Sequence, residues 1–208
     1  MRIASFFLMF GLAVAPVAAS AEALSYHIDP VHSQLLFNVE HNGFSRSFGR
    51  LRITDGTIRF DRDDWSKSSV DATIDLTSVD MGDSAWDKVV RGSDLLDADR
   101  AQTARYVSDS VEKKNDDEGV VHGKLTLRGV ALPLDIPFRV NRVGKTIYGL
   151  HTVAGFSAQV SVDRTAYGMT SNRNSIGTNV AVWLEIEAIR GGEGSPSNDK
   201  EKTDVPAQ

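Results

Sequence analysis

Between Leu24 and about Ile189 the chain reads as short runs in which apolar and polar residues alternate with a period of two, separated by turn residues, which predicts strands and a sheet. Ser33 to His41 places Leu35, Phe37 and Val39 on one face and Gln34, Asn38 and Glu40 on the other, with Leu36 as an outward exception. After a turn at Asn42 and Gly43, Phe48, Leu51 and Ile53 form a second run, and Asp55-Gly56 predicts a tight hairpin before Ile58 and Phe60. The pattern returns at Val70, Ala72, Ile74 and Leu76, and again at Val121, Gly123, Leu125 and Leu127. Leu132, Leu134, Ile136, Phe138 and Val140 share one face, but Pro133 and Pro137 stand where a central strand needs donors, so this run is expected at an edge or with a local break. Thr152 to Val162 and Val180 to Ile186 complete the series.

One stretch departs from the period. From Asp83 to about Leu96 the residues Trp86, Val89 and Val90 recur at helical spacing, and Ser93 is placed to cap a second short turn. Asn115–Gly119 and Asn141–Gly144 are predicted loops. About eight strands with a short helical insertion, in one domain without repeats, predict an all-β sandwich or a closed antiparallel β-barrel. An eight-stranded barrel is wide enough to hold one small ligand. Alternation alone does not choose between the two.

Two segments lie outside this pattern. Met1 and Arg2 precede the apolar segment Ile3 to Val17 and the small residues Ala18, Ala19, Ser20 and Ala21, which predicts a cleaved signal peptide over residues 1–21. The apolar stretch is shorter than the ~20 residues of a spanning helix. Export to the periplasm and a mature domain over residues 22–190 follow as expectations, with Ala23 as a second cleavage point. Residues 191–208 are Gly, Ser, Pro, Asn, Asp and Lys in character and predict a disordered polar tail.

The full chain of 208 residues is 41% hydrophobic with a net charge of −5, so nothing in it neutralises a nucleic-acid backbone. It contains no cysteine, which removes disulfides, thiol catalysis, a lipoprotein anchor and Cys-based metal sites. An exported domain of this composition must be held by its core alone.

Candidate chemistry is sparse. His27, Asp29, Pro30, His32, Ser33 and His41 form the one polar constellation, with histidine metal ligands or a general base beside a serine nucleophile as its functional readings, although no tight ligand spacing is present. Residues eight apart on a strand are separated by ~26 Å, so His41 and Ser33 do not meet, and hydrogen-bonded turn groups are the competing reading. No nucleophile elbow, phosphate loop, dinucleotide fingerprint or H-E-x-x-H motif is present. The acidic clusters Asp61/Asp63/Asp64 and Asp116/Asp117/Glu118 fit solvated loops, and no metal or cofactor is expected. Arg164, between an apolar face and Tyr167-Gly168-Met169, is placed either to meet a head group at a cavity mouth or to pair with Asp163 at the surface.

These residues resemble the YceI-like family of secreted bacterial proteins over Tyr26 to about Ala188. The likeness is carried by Tyr26-x-Ile28-Asp29-Pro30-x-His32-Ser33, Phe37-x-Val39-x-His41, Phe48-Gly49, Leu125-Thr126-Leu127-Arg128-Gly129-Val130, Ala154-Gly155-Phe156, and Asp163-Arg164 with Tyr167-Gly168-Met169. The chain departs from the family at Asp87-Lys88-Val89-Val90-Arg91 and at Ala101-Gln102-Thr103. The resemblance implies an extended lipocalin-like barrel whose apolar interior takes a long isoprenoid tail, as in a polyisoprenoid or a quinone. The implied role is a periplasmic carrier or sequestering protein, not an enzyme. Its candidate ligand-binding residues are Phe37, Val39, His41, Leu51, Ile53, Leu125, Phe138, Phe156, Arg164, Tyr167 and Met169, each equally compatible with solid core. Two alternatives stand beside it: an enzyme acting on a lipid head group through Asp29, His32 or His41, and a filled β-sandwich for protein interaction. The oligomeric state is left open, a homodimer included.

Overall fold

The described residues form ten strands, one of which, β5, no alternating run predicted: β1 (Leu24–Ile28), β2 (Gln34–His41), β3 (Ser45–Phe60), β4 (Ser69–Asp80), β5 (Thr103–Lys113), β6 (Glu118–Leu127), β7 (Val130–Pro133), β8 (Ile136–Lys145), β9 (Thr152–Asp163) and β10 (Ile176–Arg190). A single α-helix, α1 (Ser84–Arg91), stands between β4 and β5. The computed structural model describes residues 22–147 and 150–191. The predicted signal peptide and all of the predicted tail beyond Gly191 lie outside those residues.

All pairings are antiparallel, and eight strands close a ring in the order β10-β2-β3-β4-β5-β6-β8-β9, with β9 returning to β10. Closure leaves no continuous sheet edge to pair with another chain. The two remaining strands fill gaps in that ring. β1 and β2 both pair with β3 and β10, at successive levels, so the turn Asp29–Ser33 interrupts what is in effect one long strand position. β7 and β8 likewise share one side of β6, split at Leu134–Asp135. The run Leu132–Val140 therefore has the local break that its prolines predicted: Pro133 ends β7, and Pro137 sits in β8 opposite Val120. Beyond Ala158, β9 pairs only with β10 among the described residues, so the wall is unzipped beside β7.

Four expectations are corrected. Asp55-Gly56 is not a hairpin, because β3 runs unbroken from Ser45 to Phe60 with a bulge between Ile53 and Asp55. Gly56 serves a close approach instead: a Cβ there would meet Ile28 Cδ1 at 2.6 Å and the Asp71 carbonyl oxygen at 2.9 Å. Asn141–Gly144 is not a loop but the bulged end of β8, where Asn141 Nδ2 donates to Ser157 Oγ at 2.7 Å. The helix stops at Arg91 rather than near Leu96, and the Gly92 carbonyl, not Ser93, organises the following turn by accepting from the Leu95 and Asp97 amides. Phe48 points outward and stacks on Trp183 with centroids 6.4 Å apart, while Asn38 on the polar face is buried beneath Arg46, whose Nε donates to Asn38 Oδ1.

One end of the barrel is closed by aromatic rings. The 3-10 turn Trp65–Lys67, capped by Asp64 through the Ser66 amide, delivers the Trp65 indole against Phe60 and Phe138. Phe156 packs on both phenylalanines, with centroid distances of 5.5 Å to Phe60 and 6.1 Å to Phe138. The Trp65 indole N–H donates to the Arg62 carbonyl at 3.1 Å, so burial leaves it satisfied.

Candidate functional site

Because successive strand residues point to opposite faces, each alternating run sends one apolar row into the ring. Leu35, Phe37 and Val39 of β2, with Val182 and Leu184 beside them on β10, face Leu125 and Leu127 of β6 across the interior. They do not meet. They enclose an apolar cavity of about 500 Å³ that opens at the end of the barrel carrying α1. A second chamber of about 140 Å³ continues toward the aromatic end, and Leu35, Ile74, Tyr106, Ile136 and Leu184 line both. The interior is thus a hollow running from α1 to the aromatic floor, which sets aside the filled sandwich.

The mouth is built by α1. The Asp83 carboxylate accepts the Ala85 and Trp86 amides at 3.0 and 3.1 Å and so starts the helix. Trp86, Val89 and Val90 then turn toward the cavity, yet no residue of α1 is fully buried, Trp86 remaining 44% and Val89 61% exposed. An amphipathic helix normally hides such a stripe against a core. Here the stripe borders empty space. Trp86 leans on the His41 imidazole, with centroids 5.5 Å apart and planes at 53°.

Tyr106, His41 and Arg164 border the outer chamber with their polar atoms engaged elsewhere. The Tyr106 hydroxyl donates to the Leu134 and Val121 carbonyls at 2.9 and 3.1 Å, and burial pushes its phenol well above the usual range. His41 Nε2 accepts from Asn42 Nδ2 at 3.2 Å. Arg164, only 2% exposed, donates from Nε to Gly177, from Nη1 to Met169 and Ser171, and from Nη2 to the Ile176 carbonyl. Desolvation lowers its pKa, with repulsion from Arg173 adding to it and Asp163 opposing it. Of the two expectations for Arg164, the surface pair with Asp163 does not form. Arg164 borders the cavity, but it is buried as a staple of backbone carbonyls, and Asp163 instead caps the turn Arg164–Tyr167 by accepting from Thr165.

The remaining candidates divide by depth. Phe37, Val39, His41, Leu51, Leu125 and Met169 line the outer chamber with Arg164, whereas Ile53, Phe138 and Phe156 line the inner one. Tyr167 lines neither and is buried in the core. Trp86, Val89, Leu95 and Leu96 of the outer chamber were not among the sequence candidates, nor was Trp65, which lines neither chamber but backs the aromatic floor. The helical triplet Trp86, Val89 and Val90 carried a usable signal, whereas Trp65 sits in a polar loop with no periodic pattern around it.

The Asp29, His32 and Ser33 constellation lines neither chamber. His32 Nδ1 lies 2.7 Å from Asp29 Oδ2, and that hydrogen bond raises the imidazole pKa. Burial works to raise the Asp29 pKa, but the His32 contact and the Val31 and His32 amides outweigh it and hold the carboxyl below its usual range. Ser33 Oγ turns away to the Glu187 backbone at 3.1 Å, so no hydroxyl is presented to His32. The acidic clusters are likewise turn structures: Asp61 Oδ1 accepts the Asp63 and Asp64 amides. Among the described residues no group of three or more His, Asp or Glu is placed to hold a metal ion, and no helix is long and apolar enough to cross a membrane.

Comparison with known proteins places this architecture. The YceI-like domain family matches residues 26–188. A UPF0312 protein of Serratia proteamaculans is 31% identical over 175 residues, covering 83% of this chain and 90% of that protein. A UPF0312 protein of Shewanella oneidensis is 30% identical over 176 residues, covering 85% and 92%. The crystal structure of Burkholderia cenocepacia BcnA superposes with a TM-score of 0.70 at 22% identity, over 77% of this chain and 99% of that one. A polyisoprenoid binding domain from Saccharophagus degradans, implicated in plant cell wall breakdown, gives 0.60 at 17% identity over 80% and 99%. At these identities the two structures speak for the fold alone.

Proposed function

This chain belongs to the YceI-like domain family, and from that premise we propose that it binds the apolar tail of an isoprenoid lipid, a polyisoprenoid or a quinone, and carries or sequesters it in the periplasm. The observation that carries the reading is the hollow itself. A cavity of about 500 Å³ within a closed ring, apolar along its length and opening past Trp86 and Val89, is an expensive feature for a protein held by its core alone, unless something fills it. Burying a tail contributes roughly 25 cal/mol per Å² of apolar surface, which supplies gross affinity without a catalytic residue. The polyisoprenoid binding domain of Saccharophagus degradans shares the barrel and supports an isoprenoid as the tail. The predicted signal peptide supports the compartment.

Native mass spectrometry of the protein purified from its own host is the direct test. The expected spectrum carries one lipid per chain. A ligand-free protein that also refuses added quinone and polyprenol overturns the proposal.

A further inference from the structure

The inner end of the cavity offers a stop. Phe138 stacks on Trp65 with centroids 5.5 Å apart and meets Phe156 edge to face, and Phe60 closes the square against Trp65 and Phe156. Trp65 is pinned by its indole N–H on the Arg62 carbonyl and covered outside by Lys113, whose Nζ lies 5.6 Å from the ring. Interlocked rings of this kind are packed at interior density and do not part for a methyl group.

The floor also decides which end of a ligand enters. Among the described residues no buried side-chain nitrogen or oxygen lacks a partner. A hydroxyl or phosphate driven to the floor would lose its water without replacement, so the tail goes first and the head stays at the mouth.

Size then sets a number. An apolar cavity of about 150 Å³ takes one benzene, or about 25 Å³ per carbon. On that scale the outer chamber of about 500 Å³ holds about four isoprene units and the inner chamber of about 140 Å³ about one more.

We propose that Phe60, Phe138 and Phe156, backed by Trp65, act as a molecular ruler, so that the barrel accommodates about five isoprene units and leaves any longer chain projecting past Trp86. The proposal rests on the carrier reading above and adds to it a length limit.

The test titrates the full chain, freed of its signal segment by its own host, with prenyl alcohols of two to eight isoprene units, read by native mass spectrometry and equilibrium binding. Affinity is expected to climb by about tenfold per unit up to about five units, the gross gain from buried carbons less the cost of ordering them, and to change by less than about threefold beyond. Phe138→Ala removes part of the floor and moves the break outward by about one unit. Ala158→Phe fills the inner chamber without deleting any core atom, and moves the break inward by about one unit, so a poorly folding Phe138→Ala does not leave the question undecided. A steady rise through eight units that neither variant shifts overturns the ruler while the carrier reading stands. Failure of every prenyl alcohol to bind takes down both.

Discussion

Arg164 Nη2 donates to the Ile176 carbonyl at 2.8 Å, joining the turn after β9 to the first residue of β10 from inside the protein. The other donors of the same guanidinium reach the Gly177, Met169 and Ser171 carbonyls, so one buried cation satisfies the backbone of an irregular loop at the cavity mouth. Arg164→Met is expected to cost about 2–5 kcal/mol, because it leaves four carbonyl acceptors, one buried and three partly buried, without their donor. Arg164→Lys should recover less than half of that, since an ammonium cannot span the same fan of carbonyls. Urea unfolding gives both values, and an unchanged midpoint for Arg164→Met contradicts the staple.

At the mouth, Trp86→Ala separates ligand capture from folding. The ring is 44% exposed and its one aromatic neighbour is His41, so the loss of stability should stay below about 1.5 kcal/mol. Tail affinity should fall by more than about threefold, since the indole forms part of the apolar rim. Thermal melts beside a lipid titration separate the two effects, and equal binding by the variant removes Trp86 from the site.

The Asp29–His32 pair should respond to pH in a defined window. His32 has a raised folded pKa, so its contribution is complete below the unfolded value of 6.5 and fades as pH rises through the folded one. Asp29 has a lowered folded pKa, so its contribution is present above 3.8 and fades as pH falls through the folded one. The pair therefore helps most between those limits, and weakly, because the His32 side chain is 64% exposed. Proton NMR titration should show the His32 pKa falling toward 6.5 in Asp29→Asn. The enzymatic alternative predicts in addition that His32→Ala abolishes a turnover, whereas the turn geometry predicts only a small loss of melting temperature near pH 5.5 that vanishes near pH 8.

Gly123 tests how tightly the wall is built. A Cβ there would lie 2.5 Å from the Val107 carbonyl oxygen and 2.7 Å from the Tyr106 hydroxyl. Gly123→Ala should destabilise by about 1–3 kcal/mol through overpacking. Adding Tyr106→Phe should not rescue it, because the nearer obstacle is backbone and the phenol gives up two hydrogen bonds. A Gly123→Ala chain as stable as its parent would falsify the close approach.

Leu35, Phe37 and Val39 were legible as one inward row because a strand has a period of two and no other freedom. Phe48 stands an odd number of residues from Leu51 and Ile53, so a period of two sets it on the opposite, outer face, and the three do not form one inward row. Asp55-Gly56 and Asn141–Gly144 carry turn residues, yet the neighbouring strands absorb both as bulges. Tertiary pairing overrides local propensity wherever a ladder of hydrogen bonds is available on both sides.

The sequence by itself determined most of the strands and their apolar rows, though not β5, that one short helix interrupts them, and that no thiol or known catalytic motif is present. Those properties are local, and a window of a few residues contains them. Only the tertiary structure decided that the sheet closes into a ring, that the ring is hollow, that Arg164 is buried among backbone carbonyls beside the cavity, and that Phe60, Trp65, Phe138 and Phe156 meet at one floor. Each of these depends on the distance across the barrel between residues far apart in the chain, and alternation constrains the direction of a side chain but not what it meets on the opposite wall.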